Sequence, residues 1–193
     1  MSSKRLAPRP DLGSLTGYHS PQANAAVRLN TNESPLPPPP GFIDALVVGV
    51  RDLSLNRYPE RSVSRLRERL ADRHGVDPAQ VFAANGSNEV IQTILLAYGG
   101  ASRTVAVFQP TYAMHAQVAL TTGSRLVEGR REEDFSLNVS KMSALLQSER
   151  PEVLFLCSPN NPTGNTDSEE ILTAGLDAVA AYGGLVVVDE AYG

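Results

Sequence analysis

Apolar residues fall into two rhythms along this chain, and the change comes near residue 81. Before it, Ile43, Leu46, Val47 and Val50 recur at helical spacing. Asn56-Arg57-Tyr58-Pro59 interrupts that pattern, because the residue ahead of a proline disfavours helix. A second amphipathic helix is predicted after Ser62, with Val63, Leu66 and Leu70 on one face and Gly75 as its stop. From residue 81, short apolar runs alternate with helical patterns. Val81-Phe82-Ala83-Ala84 reads as a strand ending at Asn85-Gly86, followed by a helix carrying Val90, Ile91, Ile94, Leu95 and Tyr98. Thr104 to Phe108 predicts the next strand, a helix follows Pro110, Arg125 to Glu128 predicts a third strand, and Val139, Met142, Leu145 and Leu146 mark another helix. Val153 to Cys157 and Leu185 to Val188 are uniformly apolar, as strands covered on both faces are. Between them, Asp167 and Glu170 have the spacing of a capping box for a helix with Ile171, Gly175, Val179 and Tyr182.

Strands alternating with helices of this length predict an α/β fold with a mostly parallel sheet. Two regions are expected: an N-terminal arm with the first helix over residues 1–55, and the sheet domain over residues 56–193. Residues 1–40 are irregular and end in Pro35-Leu36-Pro37-Pro38-Pro39-Pro40, which reads as a stiff extended arm or, alternatively, as a ligand for a partner domain. In parallel sheets ligands bind outside the carboxyl ends of the strands. Polar clusters stand at those ends here: Asn85-Gly86-Ser87-Asn88, Pro110-Thr111-Tyr112, Ser158 to Gly164, and Asp189 to Tyr192.

Composition narrows the classes of function. In 193 residues, 41% are hydrophobic and 20% charged, an ordinary globular mix. The net charge of -4 argues against a nucleic-acid or anionic-membrane surface. The one basic cluster, Arg61, Arg65, Arg67, Arg69 and Arg73, is interleaved with Glu60, Glu68 and Asp72 and reads as a solvated helix face. The single cysteine, Cys157, lies in an apolar run and reads as a core residue; its solitude excludes an internal disulfide and suits a reducing, cytoplasmic setting. Neither a signal-peptide pattern nor an apolar run long enough for a membrane span is visible. His19, His74 and His115 lack metal-ligand spacing and read as structural.

The candidate chemistry lies in three segments. Gly86-Ser87-Asn88-Glu89 opens a helix whose first amides, at its positive dipole end, suit a phosphate; Ser87 or Asn88 equally suits a plain N-cap. No GxGxxG or Walker sequence occurs, which disfavours a dinucleotide or nucleoside triphosphate. In Ser158-Pro159-Asn160-Asn161-Pro162-Thr163-Gly164, prolines fix the backbone around two amide side chains, so Asn161 can hold a ring oxygen. Asp189 ends an apolar strand, where a carboxylate either caps the next segment or pairs with a protonated ring nitrogen, the pairing that pyridoxal 5'-phosphate (PLP) chemistry needs. Tyr192 would lie beside the ring oxygen, and Tyr112 offers an aromatic face for stacking or for core packing.

The ordered segments Leu29-Asn30-Thr31-Asn32-Glu33-Ser34-Pro35, Arg57-Tyr58-Pro59-Glu60, Ala84 to Glu89, Pro110 to His115, Ser158 to Gly164 and Val187 to Tyr192 resemble the histidinol-phosphate aminotransferase family of fold-type I PLP enzymes. That resemblance implies a three-layer α/β/α large domain, here incomplete at its C-terminal end, and a homodimer. It implies that Ser87 and Asn88 hold the cofactor phosphate, that Tyr112 stacks on the ring, that Asn161 and Tyr192 bind its oxygen, and that Asp189 binds its nitrogen. It further implies that Tyr58 reaches the phosphate in a neighbouring subunit and that Tyr18 lies near the substrate. The implied reaction moves an amino group between histidinol phosphate or L-glutamate and a 2-oxo acid or imidazole acetol phosphate, in histidine biosynthesis. Aromatic aminotransferases, a PLP-dependent phosphothreonine decarboxylase and a non-catalytic remnant are the rival readings. Relatives carry their Schiff-base lysine, in a Ser-Lys segment, and their substrate-gripping arginine beyond the segment matching Val187 to Tyr192. The only lysines here, Lys4 and Lys141, match neither, so no catalytic residue is assigned and this chain alone is expected to be inactive.

Overall fold

The computed structural model of the chain describes residues 6, 9–13, 15, 24–28 and 30–193. Tyr18, expected near a substrate, and His19 lie outside the described residues. The chain divides into two compact units, Met1–His19 with Asn85–Gly193 and Ser20–Ala84.

Among its described residues the smaller unit holds two helices, α1 (Phe42–Arg51) and α2 (Ser64–His74), and a 3-10 turn at Pro78–Gln80. The helical spacing of Ile43, Leu46, Val47 and Val50 does produce α1, but the stripe stays largely exposed. The start of α2 is organised by Glu60, whose carboxylate accepts the Ser62 hydroxyl at 2.8 Å and the Ser64 hydroxyl at 2.6 Å. Val63 was expected on the helix face; it precedes the helix instead, in the left-handed region at φ 42°. Gly75, at φ 66°, ends α2 as the sequence predicts. Residues 81–84 are not a strand. An apolar tetrapeptide becomes one only by bonding to a neighbour, and here Arg67 Nε donates to the Val81 carbonyl at 2.9 Å while Phe82 is 61% exposed.

The larger unit alternates α3 (Ser87–Tyr98), β1 (Thr104–Gln109), α4 (Ala113–Thr121), β2 (Arg125–Arg130), α5 (Val139–Glu149), β3 (Val153–Cys157), α6 (Glu169–Ala180) and β4 (Leu185–Asp189). The strands form one sheet in the order β2-β1-β3-β4, with every pairing parallel. The α/β expectation is met, and both sheet faces are covered. Val105, Val107, Val153 and Phe155 face one way and pack with Ile91, Leu95, Val118 and Ala119 of α3 and α4. Their alternate neighbours Ala106, Phe108, Leu154 and Leu156 pack with Met142 and Leu146 of α5 and Ile171 and Val179 of α6. This two-sided burial is why β1 and β3 read as unbroken apolar runs. Gly129 in β2 is needed for close approach, since a Cβ there would run into the buried ring of Phe108.

The predicted Asp167–Glu170 capping box is not formed. Ser168 is the N-cap of α6, its hydroxyl accepting from the Ile171 amide at 3.4 Å. Asp167 is drawn away by Arg131, whose Nη1 and Nη2 meet its two carboxylate oxygens at 2.8 and 3.0 Å.

Candidate functional site

Because the sheet is parallel, the carboxyl ends of its strands share one rim, and the register sets which residues meet there. Cys157 of β3 stands opposite Asp189 of β4, and the Ser158 amide donates to the Asp189 carbonyl at 3.0 Å. Asp189 is therefore delivered to the rim beside the loop 158–164.

The Asp189 carboxylate is the electrostatic centre of this rim. Its side chain is 8% exposed, and Oδ2 lies 2.8 Å from Nε2 of His115, whose own side chain is fully buried. The hydrogen bond from His115 holds the Asp189 carboxyl below its ordinary value, against the opposing push of burial, and the Ala191 amide assists with a bond to Oδ1 at 3.1 Å. An ionised carboxylate only accepts, so Nε2 carries a proton toward it. The other ring nitrogen, Nδ1, is buried without a hydrogen-bond partner. The imidazole is fixed instead by rings: Phe155 of β3 stacks on it at 4.6 Å between centroids, and Tyr112 meets it edge-on at 5.4 Å.

Tyr112 links this centre to the start of α3, because its hydroxyl donates to Oδ1 of Asn88 at 2.9 Å. The N-cap of α3 is Gly86, at φ 81°, and no side chain caps that end. Ser87 and Asn88 are thus the first helical residues and not the cap, and their amides point out at the positive end of the helix dipole. Glu89 is folded back onto Asn85, accepting its amide at 2.7 Å and its side-chain amide at 2.8 Å, which fixes the turn without occupying that end.

On the other side of Asp189, the Asn161 side chain donates to the Tyr192 hydroxyl at 3.3 Å. Asn160, its neighbour, is turned inward and 2% exposed, bonded to the turn that carries Tyr112. The Arg131–Asp167 pair lies behind the loop, with side chains 1% and 2% exposed, and Arg131 Nη2 also donates to the Cys157 carbonyl at 3.3 Å.

Of the residues singled out in the sequence, Ser87, Asn88, Tyr112, Asn161, Asp189 and Tyr192 all lie on one unit; contacts link Asn88, Tyr112 and, through His115, Asp189, while Asn161 and Tyr192 form a separate pair and Ser87 adjoins Asn88 in the helix start. Tyr58 belongs to the other unit and is fully exposed. The structural role expected for His115 takes the form of a direct bond to Asp189, a partner that a contact across 74 residues leaves invisible in the sequence. Burial pushes the Cys157 thiol up, as its core reading requires. No group of His, Cys, Asp and Glu able to hold a metal occurs among the described residues. None of the described helices is long and apolar enough to cross a membrane.

A helix start with free amides, a buried carboxylate at a strand end and an aromatic ring between them form a set of groups that fits a flat, cationic heterocycle bearing a phosphate.

Comparison with known proteins agrees in kind. Residues 25–193 match the family described as aminotransferase class I and II. A histidinol-phosphate aminotransferase from Frankia casuarinae is 45% identical over 193 residues, covering 95% of this chain and 49% of that protein. One from Mycolicibacterium smegmatis is 39% identical, covering 96% of this chain and 87% of that protein. The chain spans about half the length of most of these curated relatives. Among solved structures, a histidinol-phosphate aminotransferase from Sinorhizobium meliloti in complex with pyridoxal-5'-phosphate superposes with a TM-score of 0.83 at 24% identity, over 100% of this chain and 53% of that one. A methionine aminotransferase from Escherichia coli gives 0.82 at 22% identity, over 96% and 52%. At these identities the structural matches establish the fold.

Proposed function

Since the chain belongs to the class I and II aminotransferase family, alongside histidinol-phosphate aminotransferases, we propose that it carries the cofactor-holding half of a PLP-dependent aminotransferase acting on histidinol phosphate in histidine biosynthesis. The observation that supports this most is the unbroken path of contacts from Asn88 through Tyr112 and His115 to Asp189, with Asn161 and Tyr192 joined beside it.

When bound, the cofactor supplies an electron sink for the electrons left on the substrate's α-carbon as its proton is removed. The chain's own residues do the holding. The Ser87 and Asn88 amides take the phosphate, and the Tyr112 ring covers one face. The Asn161 amide and Tyr192 hydroxyl bind the ring oxygen. Asp189, kept ionised by His115, keeps a proton on the ring nitrogen. Tyr58, fully exposed, is available to reach the phosphate of a second copy in a homodimer. The partners of such an enzyme are an amino donor and a 2-oxo acid, and its setting is the cytoplasm.

Lys141, in α5, is held in an ion pair with Glu132 at 2.7 Å, and Lys4 lies outside the described residues. Neither lysine matches the Schiff-base segment of the family, so the 193-residue chain by itself is predicted to give negligible turnover of histidinol phosphate with 2-oxoglutarate; turnover like that of a longer relative would contradict the assignment. The binding claim is tested by titrating the chain with pyridoxamine 5'-phosphate, which cannot react with lysines, against NAD. Saturable binding of the first and none of the second is expected, and the reverse would overturn the reading.

A further inference from the structure

We infer that Asn160 is a positioning residue that staples the turn bearing Tyr112 to the loop bearing Asn161, and thereby sets the spacing between the aromatic face and the amide on which ring binding depends; the inference rests on the function proposed above. Asn160 sits in the loop after β3, and its side chain reaches about fifty residues back along the chain. Its Nδ2 donates to the Pro110 carbonyl at 3.0 Å, and its Oδ1 accepts the Thr111 hydroxyl at 2.9 Å. A second Nδ2 bond, to the Thr163 hydroxyl at 2.8 Å, holds the same amide to its own loop. Both of its N–H groups and one lone pair of its oxygen are used, and the residue is 2% exposed, so no water competes for them.

The backbone of the loop is closed independently. The Asn160 amide donates to the Asn165 carbonyl and the Gly164 amide to the Asn160 carbonyl, both at 2.7 Å. The Asp167 amide donates to the Ser158 hydroxyl at 2.9 Å, and Arg131 fixes Asp167 and the Cys157 carbonyl behind it. The loop is thus closed by its own hydrogen bonds, and the Asn160 side chain joins it to the Pro110-Thr111-Tyr112 turn. Thr111 is adjacent to Tyr112 and Asn160 is adjacent to Asn161, so each end of the staple lies one residue from a ring-contacting group. The Asn160 side chain is spent on these protein groups and is assigned no ligand contact.

The test uses the full 193-residue chain and pyridoxamine 5'-phosphate. Thr111→Val keeps the side-chain shape and removes one bond of the staple, leaving a buried acceptor without its donor; Thr111→Ser keeps the hydroxyl. Asn160→Asp is the harsher second variant, since it replaces two donors with a carboxylate facing the Pro110 carbonyl. For Thr111→Val the expected results are about tenfold weaker binding and a smaller circular dichroism of the bound ring even at saturation. Thr111→Ser is expected to restore both. A purely structural role would lower the folded fraction but leave the saturated ring signal intact, and that result overturns positioning. Hydrogen exchange without ligand decides the staple separately. Segments 109–112 and 158–165 should both exchange faster in Thr111→Val and Asn160→Asp while β1 and β3 do not; unchanged exchange in both segments overturns the inference whatever the ligand does. Failure of the unsubstituted chain to bind the probe overturns the proposed function instead.

Discussion

Replacing His115 by phenylalanine isolates the hydrogen bond that holds Asp189 ionised. The aromatic ring survives, so the stack on Phe155 at 4.6 Å and the edge contact with Tyr112 are preserved in kind. What is lost is the 2.8 Å bond from Nε2 to a carboxylate that is 8% exposed. A hydrogen bond to a charged group contributes about 1.5–3 kcal/mol, and among the described residues the carboxylate left behind keeps the Ala191 amide at 3.1 Å. The substitution also removes a buried imidazole whose Nδ1 has no partner, a gain that offsets part of the loss. A net cost of about 1–2 kcal/mol at pH 7 is expected from urea unfolding. The pH dependence is the sharper test. In the folded chain the Asp189 carboxyl lies below its ordinary value, chiefly through this bond, so its contribution is complete above about pH 4 and disappears as pH falls through the folded value. Below about pH 5 the stability gap between the parent chain and His115→Phe should therefore narrow as the carboxylate is protonated. A gap that is constant from about pH 5 down to about pH 3 would refute the pairing.

Arg131→Met should cost about 3–5 kcal/mol, because Asp167 would remain buried with its countercharge gone, whereas Arg131→Met with Asp167→Asn should recover about half of that; a double-mutant unfolding cycle with no coupling would contradict the ion pair. Burial and the raised pKa of Cys157 predict that iodoacetamide at pH 8 modifies the folded chain far more slowly than the chain in urea, which mass spectrometry would reveal; equal rates would place the thiol outside the core.

The sheet was legible because each of its strands carries its own signal. Val153 to Cys157 is apolar throughout since α3 and α4 cover one face and α5 and α6 the other, and the rim residues follow directly from where such strands end. Local signals failed where a distant partner decides the outcome. Asp167 satisfies a capping pattern, yet the adjacent Ser168 takes the cap because Arg131, 36 residues earlier, claims the carboxylate. Val81 to Ala84 has the apolarity of a strand but no ladder to join, and Arg67 takes one of its carbonyls. The inward turn of Asn160 and the pairing of His115 with Asp189 span 49 and 74 residues, beyond any periodicity. By contrast Ser87 and Asn88 were correctly placed at a helix start, and the structure adds that Gly86 occupies the cap position and leaves their amides facing outward.

Backbone nitrogen–proton spectra of the chain during titration with pyridoxamine 5'-phosphate test the central claim directly. If one ligand spans the rim, the amides of Ser87 and Asn88 at the phosphate end and those of Asp189 and Tyr192 at the ring end must shift together, with one affinity and one ligand per chain. Shifts confined to one end, or two ends saturating at different concentrations, would mean that the helix start and the carboxylate do not belong to a single site.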